Sequence, residues 1–261
     1  MKYEQYWRAS SPGHIVYLID LSGSMADKID YTLSVMNSVF KTLVCLCAKG
    51  NEISPRLSCT VIGYNSEAKV IWDDMPIKEI ARKVIAFRKC GTPIFNTVNE
   101  FKPQGLRYMR LAFDEAKKDI EKWIMKQIGA KMKIPAPVVI NITVGSPYEG
   151  GFKTWDEVSR ETLNSARALM NISTPDGCVR LFNIHYNPSE TYPTMIFPSQ
   201  CSSYPTEKFL YEASSIMDDG SIEIFRDYDI NITANARCMI CNLKKIDNII
   251  ELIYSATVDR I

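Results

Sequence analysis

The stretch HIVYLIDLSGSMADKIDYTL, residues 14–33, decides the fold. Residues 14–20 are a continuous apolar run that ends in Asp20. Such a run suits a central parallel strand covered on both faces, since a half-exposed strand would alternate apolar and polar residues. Two serines and a glycine come next. Then Ile29, Leu33, Met36, Val39, Phe40, Leu43 and Val44 recur at helical spacing through 26–48, with Gly50 as a stop. In sheets of this kind ligands bind outside the carboxyl ends of the strands. Asp20, Ser22 and Ser24 would therefore offer a carboxylate and two hydroxyls at a binding edge, with Gly23 allowing a tight turn. Hard oxygen donors grouped this way suit Mg²⁺.

The same alternation continues along the chain. LSCTVIGYN (57–65) and AKVIWD (68–73) read as a hairpin joined by a polar turn. PIKEIARKVIAF reads as a short helix, and the stretch from there to Gly105 as an irregular loop. Residues 108–127 are strongly helical, and PAPVVINITV (135–144) is a second buried strand. Helix 154–172 opens with Thr154 and Glu157 in a capping box. VRLFNIHYN (179–187) is another strand, 188–206 a long Pro-, Ser- and Tyr-rich loop, and 207–217 a short helix. The run IEIFRDY, or the residues just after it, supplies an edge strand, and 243–257 a closing helix. The expected architecture is α/β: three layers, a doubly wound and mostly parallel sheet with one antiparallel edge strand, and helices on both faces. One domain over 1–261 is the economical division, with 1–13 as an N-terminal extension.

Composition narrows the function classes. Net charge is +1 over 261 residues, with no basic stripe, which argues against nucleic acid and against an anionic membrane surface. No apolar run is long enough to span a bilayer. The polar start MKYEQYWRASSPGH lacks a signal core, so the sequence points to the cytoplasm and to eight free thiols. Cys238-x-x-Cys241 has no second ligand pair for zinc and reads as buried structural cysteines. No GxSxG, P-loop or GxGxxG occurs. His14 and His185, the only histidines, are the only partners for a Ser or Cys nucleophile, and His185 reads as a core or edge histidine. Asp218-Asp219-Gly220 reads as an acidic turn, and Trp72 and Trp123 as core anchors.

Asp20-x-Ser22-x-Ser24, with its apolar strand and Met25, resembles the metal-ion-dependent adhesion site of von Willebrand factor type A domains. The resemblance covers most of the chain. It implies a Mg²⁺ site completed by a threonine in a later loop and an aspartate after a central strand. The chain departs at both places. PQGLRYMRLAF (103–113) aligns with the threonine loop and puts Arg107 there, and ITVGSP (142–147) puts Val144 at the aspartate position. Thr92 in GTPI is a less suitable substitute, and nothing in the sequence places Glu149 or Asp74 at the site. An inward Arg107 would pair with Asp20 and repel a cation by on the order of 4 kcal/mol at intermediate dielectric. The expected site is thus a weak or vacant Mg²⁺ site at Asp20, Ser22 and Ser24, with Arg107 and Ser146 on the face that meets a partner.

The resemblance further implies a non-enzymatic protein-binding scaffold that meets its partner through an acidic residue. Intracellular bacterial relatives of this kind accompany a kinase and a phosphatase in stress or tellurite-resistance clusters. The alternative class is a metal-dependent hydrolase built on the same sheet edge.

Overall fold

The computed structural model describes all residues except 1, 2, 4, 5, 96–99, 188–190, 228–231 and 245–261. Seven strands form its main sheet: β1 Gly13–Asp20, β2 Leu57–Tyr64, β3 Ala68–Pro76, β4 Val138–Thr143, β5 Arg180–Tyr186, β6 Met195–Ile196 and β7 Met239–Leu243. Their order is β6-β7-β5-β4-β1-β2-β3. β1 runs parallel to both β2 and β4, with Ile15 opposite Cys59 on one side and Val138 on the other. HIVYLID and PVVINITV are therefore neighbouring inner strands, and every residue of β1 and of β4 is buried. β3 returns antiparallel from β2 and forms one edge.

Helices cover both faces. On one face lie α1 Ile29–Cys47, α2 Ile77–Cys90 and α6 Asp219–Asp227, which share a core with Ile15, Tyr17 and Ile140. On the other lie α3 Met109–Gly129, α4 Trp155–Met170 and α5 Pro205–Glu212, packed over Val16, Leu18 and Val139. Consecutive residues of β1 thus feed opposite cores, which explains why the strand has no polar face. Trp72 and Trp123 are buried in the packing, and Trp7, ahead of β1, is part of the first core. Among the described residues no helix is long and apolar enough to cross a membrane.

Four readings of the sequence change. The run IEIFRDY is not a strand: its first six residues lie in α6. Ile222 and Phe225 recur at a helical interval, and the Asp218 carboxylate accepts the Ser221 N–H at 3.0 Å, so the acidic turn is a helix cap. The added strand is β7, which includes Cys241, begins just after Cys238 and lies inside the sheet. A second antiparallel edge, β6, comes from within the 188–206 loop. Gly23 is absent from the positive-φ residues and begins a short 3₁₀ turn over Gly23–Met25, so the local backbone does not demand glycine. The closing helix expected over 243–257 lies outside the described residues from 245 onward, while Leu243 ends β7.

At the amino end of β1 a buried polar cluster joins three elements. His14 Nδ1 lies 2.9 Å from Ser58 Oγ, and its Nε2 lies 2.8 Å from Asp119 Oδ2 on α3. Thr60 donates to the other Asp119 oxygen at 2.9 Å, and Trp123 stacks on the imidazole at 5.0 Å. Removing one member strands the others in the interior. His14→Ala and Asp119→Ala are each expected to lower unfolding stability by about 2–4 kcal/mol. Urea denaturation checks this, and a loss under about 1 kcal/mol would place the cluster among ordinary surface bonds.

Candidate functional site

The strand order reverses between β1 and β4. At such a switch point the two loops that leave the strands diverge and open a crevice at the carboxyl ends. Asp20 ends β1 there and Thr143 ends β4. Asp20 is fully buried, and its carboxylate is satisfied from several sides. Oδ1 accepts the Ser22 N–H at 2.8 Å. Oδ2 accepts Arg107 Nε at 2.6 Å and the Val144 N–H at 3.2 Å, with the Thr143 hydroxyl at 2.9 Å.

Arg107 fills the centre of the site. Its side chain is only 11% exposed. Besides Asp20, Nη1 donates to the Ser146 carbonyl at 2.9 Å and Nη2 to Ser22 Oγ at 3.2 Å. One guanidinium thereby joins the loops after β1 and β4. The close approach depends on Gly145, where a Cβ would stand 2.6 Å from Nη1.

The backbone of the Arg107 loop is fixed on three sides. Gln104 N donates to Leu21 O at 2.8 Å, and Gly23 N to Gly105 O at 3.1 Å. Tyr108 N donates to Asn65 O, in the β2–β3 turn, at 2.8 Å. Arg107 and Tyr148 exchange backbone bonds of 2.8 and 3.0 Å. Gly105 takes φ +70°, which an L side chain rarely adopts.

Beneath the site a polar row crosses the sheet. Tyr64 donates to Asn141 at 2.9 Å, and Asn141 to Asn183 at 2.8 Å. Burial, and then the charge of Asp20, hold the Tyr64 phenol well above its usual range, so it stays a neutral donor.

The structure brings together Asp20, Ser22, Arg107 and, through its carbonyl, Ser146. Ser24 is exposed, and among the described residues no bond joins its hydroxyl to the others. Thr92 lies in the exposed stretch after α2. Glu149 is paired with Arg110 at 3.4 Å, and Asp74 sits near His14 at the other end of the sheet. Sequence reasoning missed Thr143, Val144 N–H and Gly145. A signal was present: Asn141 and Thr143 are alternate polar residues in an otherwise apolar strand.

These residues do not fit a divalent cation. The carboxylate oxygen and the Ser22 hydroxyl that would ligate it both accept bonds from a permanent cation. Among the described residues no cluster of three His, Cys, Asp or Glu side chains could hold a metal.

Two nucleophile–histidine pairs form elsewhere. Ser58, His14 and Asp119 are hydrogen-bonded in series but buried, so the hydroxyl faces no substrate. His185 Nδ1 lies 3.2 Å from Cys241 Sγ. Burial lowers the His185 pKa and pushes the Cys241 thiol up to about 12, so the pair is neutral and the thiol is no nucleophile. Cys238 and Cys241 are buried free thiols.

The seven-stranded, mostly parallel sheet, with helices on both faces and a loop site at its switch point, is a three-layer doubly wound α/β fold, the architecture that the von Willebrand factor A resemblance implied. No family model matches the sequence, and no curated protein matches it. Proximal thread matrix protein 1 of the mussel byssus superposes with a TM-score of 0.50 at 13% identity, over 95% of this chain and 49% of that one. The manganese-loaded TRAP protein of Plasmodium vivax gives 0.42 at 19% identity, over 71% and 61%. An aerotolerance-related membrane protein of Bacteroides fragilis gives 0.46 at 12% identity, over 95% and 100%. The aligned region is thus less than two thirds of the mussel and Plasmodium proteins.

Proposed function

We propose that the chain is a non-enzymatic protein-binding module whose loop face works without a metal ion. The observation that carries this reading is the 2.6 Å bond from Arg107 Nε to Asp20 Oδ2. In the domains that the sequence resembles, a metal holds these loops together and meets the partner. Here the guanidinium does the first task, since it ties the loops after β1 and β4. A scaffold acting in the cytoplasm beside a kinase and a phosphatase is the setting that the sequence resemblance supports. The hydrolase alternative gains no support from the two buried nucleophile–histidine pairs.

Millimolar Mg²⁺ or Mn²⁺ is expected to move the thermal midpoint by less than about 1 °C, because a cation must first displace Arg107. EDTA should leave it equally unchanged. A partner captured from extracts of the native host should be retained in EDTA. Capture that requires Mg²⁺, or a metal-dependent rise in the midpoint of several degrees, would overturn the metal-free reading.

A further inference from the structure

We propose that the partner meets this face through an uncharged, apolar side chain seated among exposed aromatics, and not through a carboxylate. The inference rests on the protein-binding reading above and specifies the chemistry of its partner.

The first argument is charge. A divalent cation beside Asp20 would leave the site with a surplus positive charge. A guanidinium beside the same carboxylate leaves none, and the pair is bonded at 2.6 Å. The neighbouring cations are also paired, Arg110 with Asp114 at 3.5 Å among others. Glu149 faces Arg110 at 3.4 Å and Lys153 at 3.8 Å, and Lys153 faces Glu161 at 2.5 Å. An incoming carboxylate would lose its hydration at a floor with no net attraction for it.

The second argument is the rim. Tyr148 is 59% exposed, Trp155 41% and Tyr204 53%, and Phe152 and Tyr192 are also exposed. Tyr148 and Trp155 flank Ser146, whose carbonyl accepts Arg107, and Tyr204 lies two residues before Thr206, which reaches the Ser146 hydroxyl. Trp155 Nε1 and Thr206 Oγ1 approach Ser146 Oγ at 3.5 and 3.4 Å, and Tyr204 packs edge-on against Tyr192 at 5.3 Å. Large exposed apolar groups gathered in one place mark interaction surfaces. Tyr and Trp are the side chains that dominate interface energies, and charged residues are depleted at interface centres.

The rim is also held in place before binding. Tyr148 exchanges two backbone bonds with Arg107, and Trp155 is the first residue of a helix with a complete capping box. A fixed surface loses little entropy on binding. The complement of a neutral floor with a rigid aromatic rim is an uncharged apolar segment.

The test is selection of a random displayed peptide library on the whole chain, in parallel with EDTA and with Mg²⁺. Selected peptides should be rich in apolar residues and poor in Asp and Glu. Their affinity should change less than about twofold between low and high salt. Tyr148→Ala and Trp155→Ala should each weaken it about tenfold or more, while Met125→Ala on α3 should not. Tyr204→Ala provides an independent check should Trp155→Ala perturb the start of its helix. Acidic, salt-sensitive peptides that bind equally in EDTA would sink this inference and leave the metal-free module intact. Acidic peptides that need Mg²⁺ would sink both. Unchanged affinity in the aromatic variants would place binding on another face, and a library that yields no binder would overturn an apolar docking surface here. A dimer seen by sedimentation and lost in Tyr148→Ala would make a second copy of the chain the occupant instead.

Discussion

Arg107→Ala is expected to lower unfolding stability by about 3–5 kcal/mol, the usual result of removing one partner from a buried ion pair. The cost arises on the other side of the pair. Asp20 is fully buried and would keep the Ser22 and Val144 N–H bonds, but it would lose the one counter-charge it has among the described residues. The loop after β4 would also lose the bond from Nη1 to the Ser146 carbonyl. In a domain of this size each kcal/mol moves the thermal midpoint by about 2–4 °C, which makes the expected fall roughly 10 °C. The double variant Asp20→Asn with Arg107→Leu should be less damaging than Arg107→Ala alone, because no unpaired charge stays inside. Urea denaturation of the three proteins measures both effects. A loss under about 1 kcal/mol for Arg107→Ala would reduce the pair to the rank of a surface salt bridge.

The strands of the sheet's centre were legible because burial on both faces leaves one pattern only, an unbroken apolar run. β1 and β4 could therefore each be read from sequence as buried inner strands, and the structure sets them side by side. The α4 capping box was equally plain, since Thr154 and Glu157 both bond as the spacing requires. Residues 222–227 were harder. Ile, Phe and an alternating polar residue fit a strand as well as one face of a short helix. The deciding residue is Asp218, whose carboxylate caps the helix and also lies 3.3 Å from Arg180 on β5. That contact spans 38 residues and has no local signature. β6 is two residues long, so its only cue is the partner strand it meets.

The site was legible in its chemistry and not in its detail. Aspartate after an apolar strand marks the position, and an arginine in the aligned loop marks the change of charge. Ser24 matched the motif in sequence, yet the 3₁₀ turn carries it outward. Thr143 and Gly145 had no motif to match. Their roles come from where Arg107 lies: the hydroxyl completes the Asp20 shell, and the missing side chain leaves room for Nη1.

Arg107→Thr is expected to turn a metal-indifferent protein into one stabilised by Mg²⁺. The substitution deletes the cation that sits on the Asp20 carboxylate and puts a hydroxyl on the same loop. It also frees Ser22 Oγ, which accepts from Nη2 in the wild type. A repulsion on the order of 4 kcal/mol per unit of charge disappears with the guanidinium. Without metal the variant should be destabilised about as much as Arg107→Ala. With free Mg²⁺ a hundredfold above its dissociation constant, about 2.7 kcal/mol should return, a rise of several degrees in the thermal midpoint that EDTA reverses. Ser22→Ala in the same background should flatten the response, since a hydroxyl ligand is lost. The wild type measured beside it should stay flat throughout. If Arg107→Thr is equally indifferent to Mg²⁺, the exclusion of the cation lies with Val144, where no carboxylate stands, and adding Val144→Asp to the Arg107→Thr chain should then produce the response. If neither variant responds, the loops themselves cannot assemble an oxygen shell, and Arg107 fills a place that no longer suits a metal.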